Sequence, residues 1–245
     1  GESIPVEMDT ILSQYNDMLD RLKASIDREK EAEKRSRSAQ IAALEAQINP
    51  HFLNNTLDTI NWMAIQHDER EISDAISALG QILRYGIVDN DQSVPVEQEL
   101  EWLQKYVLLQ KIRLKGTFTC EINVDPAVRG LMLHKLVLQP FVENAIIHGF
   151  VRLRRNGILK VTIREEKETL AILISDNGRG IPQETVTAIN SGDLAYLEAD
   201  RHLGMKNAIS RLQMYYGEKA SVWVESKNGT TISIRIPMEK LERFT

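Results

Sequence analysis

The chain has 245 residues, of which 42% are hydrophobic and 27% are charged. This balance is typical of a globular protein and excludes a wholly disordered chain. The net charge of −5 gives no general basic surface for nucleic acid, and the single cysteine, Cys120, excludes an internal disulfide and a multi-cysteine metal site. No apolar run approaches the roughly 20 residues that a membrane-spanning helix needs. Because the first residue is not Met, we expect a piece cut from a longer protein.

The first predicted helix has a narrow apolar seam. Its apolar residues recur at alternating spacings of four and three, which is the pattern of a coiled coil, so a second copy is needed to bury them. They are Met8, Leu12, Tyr15, Leu19, Leu22 and Ile26. The charged segment 27–40 that follows can be interpreted as a solvated helix or as a joint between two coiled segments.

Two further helices are predicted to form an antiparallel hairpin. Apolar periodicity returns at Ile41 and continues to Met63, and Pro50 is expected to kink this helix. The periodicity then predicts a second helix over 69–85 and a third helix after an intervening loop. That loop and helix are predicted over 89–95 and 96–115.

The second half of the chain changes to a mixed α and β pattern. Alternating apolar residues predict strands. These strands are expected over 118–124, 159–164, 170–175, 220–225 and 231–236. Asn228-Gly229 marks a hairpin between the last two, and helices are predicted over 136–148 and 205–216. The sequence therefore predicts a mixed sheet covered by helices from about residue 117 onward.

Three local patterns in this half are candidates for chemistry. In the first, Asn144 and His148 are four residues apart on a predicted helix and share one face, and an amide oxygen is a ligand suited to Mg²⁺. In the second, Asp176 ends a strand and is followed by Gly178 and Gly180, which permit close backbone approach to a ligand. The Asp176 carboxylate could accept a hydrogen bond from an exocyclic amine.

The third pattern is Gly204, which precedes a predicted helix and would offer free backbone N–H groups to a phosphate. Alone, the first pattern also fits a solvated helix face, the second fits a plain turn, and the third fits an ordinary helix start. Their order is more specific. It resembles the ATP-binding domain shared by histidine kinases, gyrase-type ATPases and Hsp90-type chaperones. No P-loop motif, G-x-x-x-x-G-K-[ST], occurs in the sequence.

Two longer segments distinguish between these relatives. The segment 47–57, QINPHFLNNTL, resembles the phosphoacceptor box of the LytS/YesM type of sensor histidine kinase. The segment 138–149, LQPFVENAIIHG, is similar to a second box of that type. The resemblance runs from about residue 41 to 238, and a shorter segment, 15–19, resembles the second helix of a HAMP module.

The resemblance implies a role for each matching residue. His51 would accept the γ-phosphoryl group of ATP. The helical spacing separately suggests that Asn55, one turn after His51, could fix the orientation of its ring. Asn144 would hold Mg²⁺, Asp176 would read adenine, and Thr231 would lie near the base. The remaining residues expected at the nucleotide are His148, Gly178, Gly180 and Gly204.

The sequence departs from the family pattern at three positions. Asn54 stands where the family usually has an aromatic residue, and His202 replaces the first glycine of the expected lid. Phe52 follows His51, where many other histidine kinases have an acid, so the base for His51 is unassigned. Glu143 is a candidate for that base.

The predicted fold class is α+β. A long helical coiled coil and a dimerisation hairpin come first, followed by an α/β sandwich of the histidine kinase, gyrase and Hsp90 type. The expected divisions are a HAMP-like helix end, a charged connecting helix, the dimerisation and phosphoacceptor helices, a connecting loop and helix, and an ATP-binding kinase domain. Their respective bounds are 1–26, 27–43, 44–90, 91–116 and 117–245.

We interpret the chain as the cytoplasmic part of a membrane-bound bacterial sensor histidine kinase. It would use Mg-ATP to phosphorylate His51 within a homodimer and then pass the phosphoryl group to an aspartate of a response regulator. Two alternatives stay open: an ATPase of the gyrase or chaperone kind, and a nucleotide-gated dimer that signals without kinase activity.

Overall fold

A computed structural model describes residues 18, 21, 23, 50–87, 92–150, 156–193, 196–197 and 203–244. The chain divides into two compact units, 1–53 and 54–245. In the first unit, Met18, Arg21 and Lys23 are helical and exposed, and so are His51 and Phe52. The residues of the predicted coiled-coil seam, the charged segment and His202 lie outside the described residues. The coiled coil therefore stays a prediction.

A helical hairpin is formed by α1 (Pro50–Gln66) and α2 (Arg70–Ile87). Ser73 donates a hydrogen bond of 2.6 Å from its hydroxyl to the amide oxygen of Asn61, and Arg84 donates one of 3.4 Å to Asn54. The first pair lies near the turn that connects the helices, and the second pair lies far from it. Residues early in α1 therefore lie beside residues late in α2, so the hairpin is antiparallel, as predicted.

A two-stranded sheet and a third helix follow. Strand β1 (Ser93–Pro95) pairs with the later strand β3 (Met132–His134), so the loop predicted over 89–95 is wrong at 93–95. A strand of three residues has too few alternations to be recognised in a sequence. Helix α3 (Val96–Arg113) comes directly after β1.

The main sheet confirms the predicted mixed architecture. Its strands are β2 (Phe118–Val124), β4 (Gly157–Glu166), β5 (Thr169–Asp176), β6 (Ser221–Ser226) and β7 (Thr230–Pro237). Within the described residues they lie in the order β2-β4-β5-β7-β6, with β2 parallel to β4 and every other pair antiparallel. Each of the five predicted strands is thereby confirmed.

The helices over this sheet bury alternate strand residues in a single apolar core. Leu159, Val161 and Ile163 of β4 are fully buried, whereas the residues between them are at least partly exposed. Leu100 and Leu103 of α3 belong to the same core, which therefore extends upstream of residue 117. Burial of one strand face explains why the alternation in the sequence was informative.

The other helices around the sheet differ from prediction in type or in number. The helix expected over 136–148 is a short α-helix, α4 (Gln139–Glu143), that continues as a π-helix over Asn144–Gly149. Helix α5 (Gln183–Ser191) was missed, although Pro182 before it and Gly192 after it are typical helix boundaries. Helix α6 (Leu203–Tyr216) confirms the helix predicted over 205–216.

In the part of the chain that the structure describes, none of the helices combines the length and the apolar character that crossing a bilayer requires.

Asn190 connects α5 to the edge strand β6. Its side-chain amide donates to the carbonyl of Val224 at 2.9 Å and accepts from the N–H of Val224 at 2.8 Å. Val224 is buried, so water cannot replace either bond. Asn190 thus satisfies two backbone groups that would otherwise be costly to bury.

We predict that Asn190→Ala lowers the free energy of unfolding by roughly 1 to 3 kcal/mol, because two buried backbone groups lose their partners. Urea unfolding followed by circular dichroism measures this change. The control is Thr187→Ala, an exposed position on the same helix whose hydroxyl bonds only the Gln183 carbonyl. Equal effects of the two substitutions would contradict the prediction.

Candidate functional site

A cavity of about 300 Å³ opens between the π-helix, the end of β5, helices α5 and α6, and strand β7. It brings together five residues that the sequence analysis selected. These are Asn144, His148, Asp176, Gly180 and Gly204. Other lining residues were not selected, and they include Arg179, Ile181, Thr185, Ile189, Met205, Thr230 and Ile232. Most of this second group are apolar or uncharged residues that carry no chemical signal in a sequence.

The π-helix supplies one wall of the cavity. Asn144 and His148 both line it, as expected for two residues on one helix face. A π-helix is wider than an α-helix and occurs mostly in short stretches at functional sites. Asn144 is half-buried and His148 is exposed. The wall therefore presents an amide and an imidazole next to each other.

Asp176, the last residue of β5, is the buried acid of the cavity. Its Oδ1 atom accepts hydrogen bonds from the N–H of Gly178 at 2.7 Å and from the N–H of Thr230 at 3.3 Å. Burial raises the pKa of this carboxyl, and the bonds from Gly178 and Thr230 oppose that rise. The carboxyl group is thus held in one orientation by the backbone, which suits it to recognise a single donor.

Backbone atoms pack closely around this aspartate. A Cβ atom added at Gly178 would lie 2.6 Å from the carbonyl oxygen of Gly149 and 2.7 Å from Asp176 Oδ1. The N–H of Arg179 also donates to that Gly149 carbonyl, at 3.1 Å. Gly178 therefore joins the loop to the end of the π-helix, and it is not among the residues that line the cavity.

The threonine in the cavity wall is Thr230 instead of Thr231. Successive side chains of a strand point to opposite faces, so only one of the two can face the cavity. Thr230 is 6% exposed and lines the cavity, whereas the Thr231 hydroxyl lies 3.1 Å from the hydroxyl of Ser175 on the neighbouring strand. Thr230 therefore lines the cavity and Thr231 does not, while a role for either residue at a base stays a prediction.

The other selected residues lie elsewhere. His51 and Asn55 are exposed residues of α1. Glu143 ends α4, is half-buried and does not line the cavity. Burial, followed by the charge of Glu143, raises the pKa of Tyr106 on α3 to about 12, which places Glu143 near that tyrosine.

Two family models match the chain. The model of the histidine kinase family matches residues 39–118, and the model of histidine kinase-, DNA gyrase B-, and HSP90-like ATPases matches residues 132–240. The second match contains every residue of the cavity. The chain thus carries a segment similar to the histidine kinase family, followed by a segment similar to the histidine kinase-, DNA gyrase B-, and HSP90-like ATPases.

Two sensor kinases are among the relatives of this chain. The chain is 30% identical to the sensor histidine kinase YesM of Bacillus subtilis (strain 168), in a match that covers 82% of this chain and 34% of that protein. It is 29% identical to the sensor protein kinase HptS of Staphylococcus aureus (strain USA300). That match covers 96% of this chain and 45% of that protein. The chain thus spans less than half the length of these relatives.

Among solved structures, the histidine kinase domain of the Erythrobacter litoralis EL346 blue-light activated histidine kinase is 17% identical to this chain. The match covers 78% of this chain and 94% of that domain, with a TM-score of 0.45.

The ATPase family model indicates an ATP-binding domain, and the polar and apolar groups in the cavity suit such a ligand. Asp176 offers a fixed acceptor for an amine, and Ile189, Met205 and Ile232 offer apolar surface for a flat ring. Asn144 offers the kind of oxygen that Mg²⁺ accepts when it is also bound by substrate phosphates.

We predict that Gly178→Ala lowers the free energy of unfolding by roughly 1 to 3 kcal/mol, because its Cβ would overlap backbone and carboxylate atoms that cannot move apart freely. Gly204→Ala is the matched control, since a Cβ there would have no atom within 4 Å. Urea titration of both variants measures the difference. Unfolding of Gly178→Ala at the same urea concentration as the control would mean that the added Cβ is accommodated without cost.

Proposed function

We propose that the chain is the catalytic part of a sensor histidine kinase, which binds Mg-ATP in the cavity and transfers the γ-phosphoryl group to His51. The phosphoryl group would then pass to an aspartate of a response regulator. The observation that carries this proposal is the cavity within the matched ATPase segment, where Asn144 and Asp176 converge. The matched histidine kinase segment of the same chain contains His51.

Asp176 would determine the base specificity of this site. A buried carboxylate oxygen accepts a hydrogen bond from an exocyclic amine such as that of adenine, and guanine has a carbonyl at the corresponding position. Thr230, whose N–H and side chain both bond Asp176, would hold that carboxyl in place. The apolar residues of the cavity would cover the faces of the ring.

Asn144 would be the protein ligand of Mg²⁺, an ion that neutralises charge on the phosphates during phosphoryl transfer. Gly180 and Gly204 both line the cavity without a side chain, so their backbones would lie close to the nucleotide. Arg179, His148 and Gly149 complete this side of the cavity. Together these residues would bind the substrate and exclude water from it.

His51 would act as the nucleophile. A nitrogen of its neutral ring would attack the γ-phosphorus, a nitrogen–phosphorus bond would form, and the bond to the bridging oxygen would break to release ADP. The proton of the ring must then pass to a base, for which Glu143 stays a candidate. Asn55, one turn further along α1, would orient the ring.

The hairpin would form the dimer interface. Ile60, Trp62 and Met63 of α1 and Ile72 and Leu79 of α2 are all exposed, which is a large apolar surface for one hairpin. A second copy of this chain could bury it, as the family generally dimerises through this region. Within such a protein the chain would be the cytoplasmic portion of a membrane-anchored bacterial receptor, with the domain bounds predicted from the sequence.

We predict that this chain, incubated with γ-labelled ATP and Mg²⁺, acquires an acid-labile and base-stable label that is absent from His51→Gln. The matched control is His67→Gln, an exposed histidine in the turn after α1, which should label normally. A Glu143→Gln variant that binds ATP without labelling would support the role of Glu143 as base, and full activity would exclude it.

Other outcomes of the labelling experiment favour the two alternatives. Free phosphate released equally by the unmodified chain and by His51→Gln would identify a plain ATPase. Bound ATP with neither label nor free phosphate would favour a nucleotide-gated dimer.

We predict that Asp176→Asn weakens ATP binding at least about tenfold, because an amide N–H would replace an acceptor facing the adenine amine. Because burial raises the pKa of this carboxyl, it becomes protonated, and loses its acceptor, at a pH above the usual aspartate range near 4. The affinity for ATP should therefore decline as the pH falls toward that range. Calorimetric titration from pH 5 to 8 measures both effects.

The control for this substitution is Asp125→Asn, since Asp125 only caps a short helix and asparagine caps equally well. An Asp176→Asn variant that keeps the affinity of this control would rule out base recognition by Asp176.

A further inference from the structure

A carboxylate that belongs neither to the cavity nor to the hairpin connects the two. Glu99 of α3 is fully buried. Its Oε2 atom accepts hydrogen bonds from the Tyr85 hydroxyl at 2.7 Å and from the Leu136 N–H at 3.0 Å, and its Oε1 atom accepts one from the Leu138 N–H at 3.2 Å. One side chain therefore bonds α2 and the backbone just before α4.

The backbone that Glu99 holds leads directly into the cavity wall. Leu136 has a φ of +59°, in the left-handed region that side chains such as leucine rarely adopt. Leu138 precedes α4, which has no capping side chain of its own and continues into the π-helix that carries Asn144. Glu99 thus bonds two backbone N–H groups directly before the helix that leads into the cavity wall.

The other end of the network is the last turn of α2. The Tyr85 ring lies 6.2 Å from the Trp102 ring, and the Lys135 ammonium lies 5.2 Å from the Tyr85 ring centroid. These contacts hold the tyrosine between α3 and the segment before α4. A displacement of α2 would therefore act on Glu99 through the Tyr85 hydroxyl.

Helix α6 holds the same segment from a third side. Arg211 donates to the Lys135 carbonyl at 3.2 Å, and the Tyr216 hydroxyl accepts from the His134 N–H at 2.8 Å. Burial raises the pKa of Glu99, while its three donors and the Arg211 charge oppose the rise. The segment 134–138 is thus held by side chains from α3 and α6. Its hydrogen-bonded connection to α2 passes through the Glu99 carboxylate, beside the contact of Lys135 with the Tyr85 ring.

We propose that Glu99 is a positioning residue that couples helix α2 of the hairpin to the helix carrying Asn144 and His148, so that the position of the hairpin sets the affinity of the cavity for nucleotide. This inference rests on the proposed function, since it assumes that the cavity binds ATP. A buried charge is a poor device for stability alone, because its desolvation offsets its attractions. It does impose a specific geometry, because a carboxylate can accept three bonds whereas glutamine has one acceptor oxygen.

A double-mutant cycle tests the coupling in the full chain. The variants are Glu99→Gln, Tyr85→Phe and the two combined, with Glu101→Gln on the exposed face of α3 as the control. The affinity of each for the ATP analogue AMP-PNP with Mg²⁺ is measured by calorimetry, and stability is measured by urea unfolding. Glu99 and Tyr85 do not line the cavity, so their substitution leaves its lining residues unchanged.

We expect Glu99→Gln to weaken AMP-PNP binding about tenfold and Tyr85→Phe about threefold or more, a range typical of coupling between sites. The double variant should bind like Glu99→Gln alone, because Tyr85→Phe keeps the ring and removes the hydroxyl that bonds Glu99. Glu101→Gln should bind like the unmodified chain. If Glu99→Gln fails to fold, the milder Tyr85→Phe still tests the prediction through its own affinity.

Three results would overturn the proposal in different ways. Unchanged affinity with reduced stability would make Glu99 a structural residue only. Additive losses of affinity would mean that Tyr85 and Glu99 act independently. An unmodified chain that does not bind AMP-PNP would refute the proposed function itself, and this inference with it.

Discussion

The candidate site depends on how closely the backbone packs around Asp176. The carboxyl group contacts the loop through the Gly178 N–H, and the Asp176 carbonyl lies against Gly229 of the β6–β7 turn. A side chain at Gly178 or Gly229 would occupy space that backbone or carboxylate atoms already fill. The end of β5, the π-helix and the last hairpin therefore meet at one point, and the cavity exists because they do.

A second constraint lies behind the cavity, where a buried carboxylate and a half-buried guanidinium lie between helices. The carboxylate of Glu99 and the guanidinium of Arg211 both bond the backbone of the segment 134–138. Buried polar groups tolerate little displacement, because a broken hydrogen bond leaves an unsolvated donor or acceptor. Apolar packing alone would allow neighbouring helices to slide. These bonds instead give the segment before α4 one defined conformation.

The departures from the family pattern have a local explanation where the structure describes them. Asn54, in place of an aromatic residue, bonds the Arg84 side chain across the hairpin. Phe52, in place of an acid, is exposed beside His51 on the first turns of α1. Asn54 thus makes a polar contact between the two helices of the hairpin. Phe52 leaves an apolar side chain next to the proposed phosphoacceptor.

The sequence by itself determined the five main strands, the hairpin, the fold class and five residues of the cavity. Periodicity and motifs can be recognised in a sequence because they involve residues close together in the chain. The periodicity of a strand or helix arises because one of its faces is buried. Only the tertiary structure decided that Thr230 faces the cavity, that Asn144 lies on a π-helix, and that Glu99 joins two helices. These features depend on register, helix width and partners distant in sequence, because contacts between separate elements select them and no local pattern encodes them.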